Sequence, residues 1–147
     1  MRAFIIPAGV VLTSVAPAPK AQKVYRGPDS DFIAPYQEVI RDSAEWRSVW
    51  ATTGGRPDPD GNVKKVPNIN FKRKMVIVAA NPATAPDSVV IRPDPKGAKG
   101  VFSVITYRSC TPGAKKTMPV DIIAIPADPG SVMFLDKTVK GPGCTAA

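Results

Sequence analysis

Hydrophobic residues occur in short stretches of this chain, alternating with polar residues in some and uninterrupted in 75–80, and proline and glycine separate the stretches. Runs of this length with turn residues on both sides are typical of β-strands. Seven segments have the pattern: 24–26, 36–40, 75–80, 88–92, 100–107, 120–125 and 132–135. Segments 88–92 and 100–107 are predicted to form one hairpin. Segments 120–125 and 132–135 are predicted to form a second hairpin. The pattern predicts a mainly β fold, either an antiparallel sandwich or a partly open barrel of about seven short strands.

One short helix is predicted between Asp42 and Thr52. Asp42 is a typical N-cap residue, and Glu45 follows at the capping-box position. Gly54-Gly55 marks the end of the helix. Helical spacing places three large apolar side chains on one face, namely Trp46, Val49 and Trp50.

The apolar face of this helix and the uninterrupted strand 75–80 are predicted to supply the core. The two tryptophans would also suit stacking on a sugar or a nucleobase, but their spacing with Val49 favours burial. The predicted core residues are Trp46, Val49, Trp50, Phe71, Val76 and Val78.

Composition argues against catalysis and against a bound cofactor. The chain has no histidine, which excludes imidazole bases and most zinc hydrolases. None of its serines has a lysine three residues later, and its acidic residues are isolated along the chain. Asp58-Pro59-Asp60-Gly61-Asn62 begins like a calcium loop, but Val63 and Ile69 stand where an EF-hand needs Gly and Glu. We therefore predict a non-enzyme with no catalytic residue, no metal site and no cofactor.

The chain is strongly basic, with a formal net charge of +8 and a pI near 9.7. Its basic residues are spread out, and the densest group, 72–74, lies beside an apolar strand. Lysines in such positions commonly keep strand ends soluble. Nucleic-acid binding is not expected, although binding of some other polyanion remains an alternative.

The N-terminus indicates export, and the location decides whether the two cysteines are a disulfide or two thiols. Residues 1–18 combine a positive start, an apolar middle and small residues, which is the outline of a signal peptide; a first β-strand from Phe4 to Leu12 is the alternative. In an oxidising compartment Cys110 and Cys144 are expected to form a disulfide. We predict a linker at 19–23, a domain at 24–136 and a flexible tail at 137–147 tethered through Cys144. The expected location is secreted, periplasmic or at the cell surface, with no membrane span.

Several segments resemble the PrcB C-terminal family. The residues that carry the resemblance are 37–46, 49–50, 66–71, 74–78, 117–126 and 132–134, and it extends over about 24–136. The resemblance implies a secreted accessory protein that stabilises a partner protease complex without catalysis. Asn70 stands where the family usually has Asp, and 81–87 replaces a glycine-rich loop.

These observations predict an exported accessory domain that binds and stabilises a partner protein, with a secreted protease as one such partner. A proline-stiffened loop loses little entropy on docking, so the loop 81–87 is the first choice and the loop 54–67 the second. The predicted partner-binding residues are Asn81, Pro82, Thr84, Pro86 and Asp87. An alternative is a chagasin-like protease inhibitor, because residues 81–84 match half of the inhibitory loop of chagasin-type inhibitors.

Overall fold

Nine strands and one helix form within the residues that the computed structural model describes, which are 20–110, 113 and 115–140. The predicted mainly β class is confirmed. The elements are β1 (Gln22–Gly27), β2 (Tyr36–Ile40), α1 (Ser43–Thr52), β3 (Lys74–Ala80), β4 (Ala83–Thr84), β5 (Ser88–Pro93), β6 (Val101–Arg108), β7 (Lys116–Thr117), β8 (Val120–Pro126) and β9 (Met133–Lys140).

Two larger sheets pack as a sandwich, with α1 on the outer side of one of them. The four-stranded sheet has the antiparallel order β1-β8-β3-β2. The three-stranded sheet has the order β5-β6-β9, in which β5 and β6 are antiparallel and β6 and β9 are parallel. A separate two-stranded sheet pairs β4 with β7. The sheets do not close on one another, so the predicted sandwich is confirmed and the barrel alternative is not needed.

Strand β3 is buried on both faces, as its uninterrupted apolar run predicted. Successive side chains of a strand point to opposite faces, so Val76 and Val78 contact the helix side while Met75 and Ile77 contact the three-stranded sheet. Strand β8 divides in the same way, with Ile122 on the helix side. Two apolar layers therefore share the same two central strands.

Helix α1 begins where the sequence predicted. The Asp42 carboxylate accepts the Glu45 amide at 2.8 Å, which satisfies a donor of the first turn. Trp46, Val49 and Trp50 are buried against the four-stranded sheet, and Phe71 packs half-buried at their margin. The predicted core residues thus lie in or beside one apolar layer.

The loop after the helix covers the two indoles. Trp46 Nε1 donates to the Pro67 carbonyl at 2.9 Å, and Trp50 Nε1 donates to the Lys64 carbonyl at 3.1 Å. A Cβ on Gly54 would overlap the Trp50 ring, so the chain leaves the helix with glycine at this close approach. The polar composition of 54–67 predicted an exposed loop, and its side chains are largely exposed, but its backbone anchors the core.

The predicted hairpin of 120–125 with 132–135 is wrong. Strand β8 has β1 on one edge and β3 on the other, so both of its hydrogen-bonding edges are occupied. The chain instead crosses to the other sheet, where β9 runs parallel to β6. The other predicted hairpin, of β5 with β6, is confirmed.

Two domain boundaries also need correction. Strand β1 already begins at Gln22, inside the predicted linker 19–23. Strand β9 continues to Lys140, so the first four residues of the predicted tail 137–147 belong to the sheet. The signal peptide 1–18 and Cys144 lie outside the described residues, and both the peptide and the Cys110–Cys144 disulfide stay predictions. No helix in the described part of the chain is long and apolar enough to span a membrane.

Candidate functional site

An open groove of about 610 Å³ lies at the end of the sandwich where β3 leads into β4. We call it the end groove. It is lined by four parts of the chain, which are the segment after β1, the predicted partner-binding loop, the last residue of β6, and the strand β7 with the residue that follows it. The lining residues are Asp29, Ser30, Phe32, Ile33, Pro82, Ala83, Thr84, Asp87, Arg108, Lys116, Thr117 and Met118.

The loop 81–87 is held in place by a small sheet. Its β4 segment pairs with β7, and the Ala85 amide donates to the Lys115 carbonyl at 2.9 Å. Pro82 is exposed and Thr84 is half-buried, and both line the groove. Pro86 is exposed but does not line the groove. The loop therefore offers a preformed wall and needs no ordering to do so.

Asp87 and Asn81 both form hydrogen bonds within the fold, and their predicted role as partner contacts stays a prediction. The Asp87 carboxylate is only 8% exposed, and it accepts the Thr84 amide at 3.1 Å and the Ser109 amide at 2.8 Å. The Asn81 side chain donates to Thr106 Oγ1 at 3.3 Å, on the three-stranded sheet. Both polar side chains form hydrogen bonds within the fold, and the predicted residues that line the groove are Pro82, Thr84 and Asp87.

The opposite wall is apolar and was missed in the sequence. Phe32 stacks on Tyr36 with ring centroids 4.3 Å apart, and Ile33 beside it is fully exposed. Met118 adds apolar surface between the two walls. Burial, followed by the charges of Glu45 and Glu38, raises the pKa of Tyr36. The available signal was an adjacent apolar pair, Phe32-Ile33, within a segment otherwise made of turn residues.

The carboxylates at the groove are occupied by backbone donors. Asp29 Oδ1 accepts the Met118 amide at 2.8 Å, and the Ser30 hydroxyl donates to the Met118 carbonyl at 2.8 Å. Asp87 likewise accepts two backbone amides, so both carboxylates of the groove wall form hydrogen bonds within the fold. The cations Arg108 and Lys116 lie in the same wall, so the groove is apolar with a basic margin.

Thr117 contributes a buried hydroxyl to the groove. Its Oγ1 is shielded from solvent and has no hydrogen-bond partner in the described part of the chain. A buried hydroxyl without a partner costs free energy.

No residue of the loop 54–67 lines the groove. Arg56 pairs with Asp31 at 3.1 Å, which ties the start of the loop to the segment that forms the apolar wall. The turn at 58–62 uses its own carboxylate, since Asp58 Oδ1 accepts the amides of Asp60 at 3.0 Å and Asn62 at 2.8 Å. This is the Asx-type turn that the sequence favoured over a calcium loop. No group of three Cys, Asp or Glu side chains is placed to hold a metal among the described residues.

Comparison with known proteins gives no match for this chain. No protein-family model, no curated protein and no solved structure is similar to it. The function is therefore argued from the end groove itself.

Proposed function

We propose that the protein is an exported, non-catalytic accessory domain that binds a partner protein through the end groove. The proposal rests on Ile33. Its side chain is fully exposed to solvent, although the neighbouring Phe32 packs against Tyr36. A fully exposed isoleucine beside a groove exposes apolar area that contact with a partner would remove from water.

The rigidity of the opposite wall supports docking. Pro82 and Thr84 lie on a segment whose backbone is already paired in β4 and β7. Association costs less when the contacting groups are ordered beforehand. The groove therefore has the features of a recognition site, with one apolar wall, one preformed wall and a basic margin.

The chemistry of the groove supports binding over turnover. Asp29 and Asp87 each accept a backbone amide, and the chain has no histidine. General acid–base catalysis needs a titrating group within reach of the substrate. In the described groove wall both carboxylates are hydrogen-bonded to backbone amides, which supports a role in holding the wall in place.

The inhibitor alternative is less well supported by the loop geometry. An inhibitory loop has to enter the cleft of a protease with its leading residues. Here Asn81 turns inward to Thr106, and the next residues pair with β7. A partner that closes over the groove fits this arrangement better, and the PrcB-like resemblance suggests a protease complex as that partner.

Point variants in the groove test the proposal more sharply than replacement of the whole loop, because Asp87 and β4 hold the fold. Ile33→Ser is expected to lower recovery of the partner from the native envelope fraction by at least about fivefold, the effect of losing about 1 kcal/mol of apolar contact. Val63→Ser is the matched control, since Val63 is 63% exposed and lies in the loop 54–67 away from the groove. Thermal unfolding of both variants should match that of wild type.

Equal recovery of the partner with wild type, Ile33→Ser and a second groove variant, Thr84→Lys, would overturn the assignment of the groove. Incubation of the chain with the purified partner, if that partner is a protease, then separates the roles. A slower loss of protease activity on heating indicates stabilisation, whereas an immediate loss of activity indicates inhibition.

A further inference from the structure

Strand β9 forms an open edge of the three-stranded sheet. It spans eight residues, Met133–Lys140, and among the described strands it pairs with β6 alone. The pairing runs without a register shift from Val101↔Met133 to Arg108↔Lys140. Along the other side of β9, alternate backbone N–H and C=O groups therefore point away from the sheet and have no strand partner among the described residues.

The outer face of this edge is apolar. Met133 is 59% exposed, and Leu135 and Val139 are each 42% exposed. These are three of the five large hydrophobic side chains that are exposed among the described residues. They alternate along one face of the strand, and Lys137 is the single charged residue in their row.

The inner face of β9 is fixed to the fold, so the edge is a formed strand. Phe134 packs against the apolar layer between the sheets. Asp136 Oδ1 accepts a hydrogen bond from the side-chain amide of Gln37 (Nε2) at 2.7 Å. This bond joins β9 to the edge strand β2 of the other sheet. The described edge carries no proline and no bulge, two devices that commonly prevent strand addition.

The charged side chains of β9 limit which strand can pair with its open edge. Side chains on one face must meet side chains on the same face, and the outer row of a second β9 strand contains no carboxylate that could lie opposite Lys137 in any antiparallel register. Two copies of this chain would also bring together two net charges of +8. A second copy is therefore a poor occupant.

We propose that the open edge of β9 accepts an extended segment of a partner protein by strand addition, with apolar side chains opposite Met133, Leu135 and Val139 and a carboxylate opposite Lys137. Backbone hydrogen bonds would hold the segment, and the alternate side chains would select it. The site is separate from the end groove and does not depend on it. Lys140 nevertheless lies in register with Arg108 of the groove wall, so one partner can extend over both.

The test uses a synthetic peptide, Thr-Val-Thr-Glu-Thr-Val-Thr-Val, designed to pair antiparallel with β9 so that its Glu lies opposite Lys137. Amide hydrogen exchange of β9 should slow when the peptide is added. A control peptide with Lys in place of Glu should bind about fivefold more weakly, since a cross-strand charge pair is worth up to about 1 kcal/mol.

A charge-swapped protein sharpens the test. Lys137→Glu should bind the Lys peptide better than the Glu peptide, whereas Lys96→Glu, the same change at the exposed hairpin between β5 and β6, should keep the wild-type preference. Ile33→Ser should bind the Glu peptide as wild type does, so failure of the groove proposal and failure of this one are distinguishable.

Two results would overturn the proposal. One is unchanged exchange of the β9 amides at peptide concentrations up to about 1 mM. The other is protection of the same amides without peptide, together with a mass that rises with protein concentration in sedimentation, which would make a second copy the occupant.

Discussion

At the scale of single residues, Asp121 is the charge that the fold buries most completely. It lies on β8 and is fully buried, and its Oδ2 accepts the Ile91 amide at 2.7 Å. Its two oxygens also accept from Arg26 Nε at 3.2 Å and Nη2 at 3.3 Å. One carboxylate therefore joins β1, β8 and β5, and so ties the edges of both large sheets together.

Removing that carboxylate should destabilise the protein strongly. Asp121→Ala would leave the Ile91 amide and the Arg26 guanidinium without their acceptor, and we expect a loss of about 3 kcal/mol in the free energy of unfolding. Asp31→Ala is the control, because Asp31 and Arg56 form an exposed ion pair that is worth at most about 1 kcal/mol. Urea unfolding measures both, and equal losses in the two variants would contradict the argument.

A second carboxylate gives the stability a pH dependence. The Gly130 amide and then Lys99 lower the pKa of Asp128 below its ordinary value. A lowered folded-state pKa stabilises the protein above the unfolded-state pKa, near 4, and that contribution is lost as the pH falls through the folded-state value. Asp128→Asn should thus be less stable than wild type at neutral pH, and the difference should shrink in acid.

The matched control for this change of charge is Asp60→Asn, whose carboxylate receives no hydrogen bond from the described residues. Urea unfolding at a series of pH values compares the three proteins. A gap between wild type and Asp128→Asn that stays constant down to acid pH would show that Asp128 does not act through its charge.

Asp87 makes contacts at the site that could not be predicted from the sequence. Asp87 lies between proline and a strand, a position that indicates an exposed turn, yet its carboxylate binds two amides from different parts of the chain. One of these, from Ser109, lies 22 positions away. Local pattern carries no information on such a contact. Pro82 and Thr84 line the end groove, and their role as partner contacts stays a prediction.

At the scale of elements, the helix and the loop after it form one unit. The 10-residue helix α1 could not be stable alone, since isolated helices of this length are marginal in water. Its indoles hold the following loop through the carbonyls of Lys64 and Pro67. The loop in return covers the indoles on the side away from the sheet.

Loss of one indole donor should loosen this loop. Trp46→Phe keeps an aromatic ring but removes the bond to Pro67, which is worth about 1 kcal/mol. Cleavage by trypsin at Lys64 and Lys65 should then be about fivefold faster, because cleavage follows the population of the opened loop. Tyr107→Phe, a similar change on the other sheet, should cleave at the wild-type rate, and equal rates in all three proteins would contradict the anchoring role of Trp46.

The elements themselves were largely predictable, but their partners were only partly so. Capping by Asp42 and the spacing of Trp46 and Trp50 are local, and they located α1 correctly. The hairpin of β5 and β6 was also local, with a proline and glycine turn between similar strands. The partner of β9 was not, because it depends on β1 and β3 having already filled both edges of β8.

At the scale of the whole molecule, the helix and the three-stranded sheet are coupled through the strands that they share. Val78 faces the helix and Ile77 faces the three-stranded sheet, and both are fully buried on β3. Neither apolar layer can open without exposing one face of the same central strands. We therefore expect the described part of the chain to unfold as one cooperative unit.

A substitution in one layer should accordingly be detected in the other. Phe102 lies in the layer against the three-stranded sheet and is 2% exposed, while both tryptophans lie in the layer against the helix. Phe102→Ala should cost about 3–5 kcal/mol and should lower the urea midpoint equally by tryptophan fluorescence and by far-ultraviolet circular dichroism. Val63→Ala, at an exposed site, should leave both midpoints unchanged. If the fluorescence midpoint of Phe102→Ala stayed at the wild-type value while the circular dichroism midpoint fell, the two layers would be independent and the shared strands would not transmit stability between them.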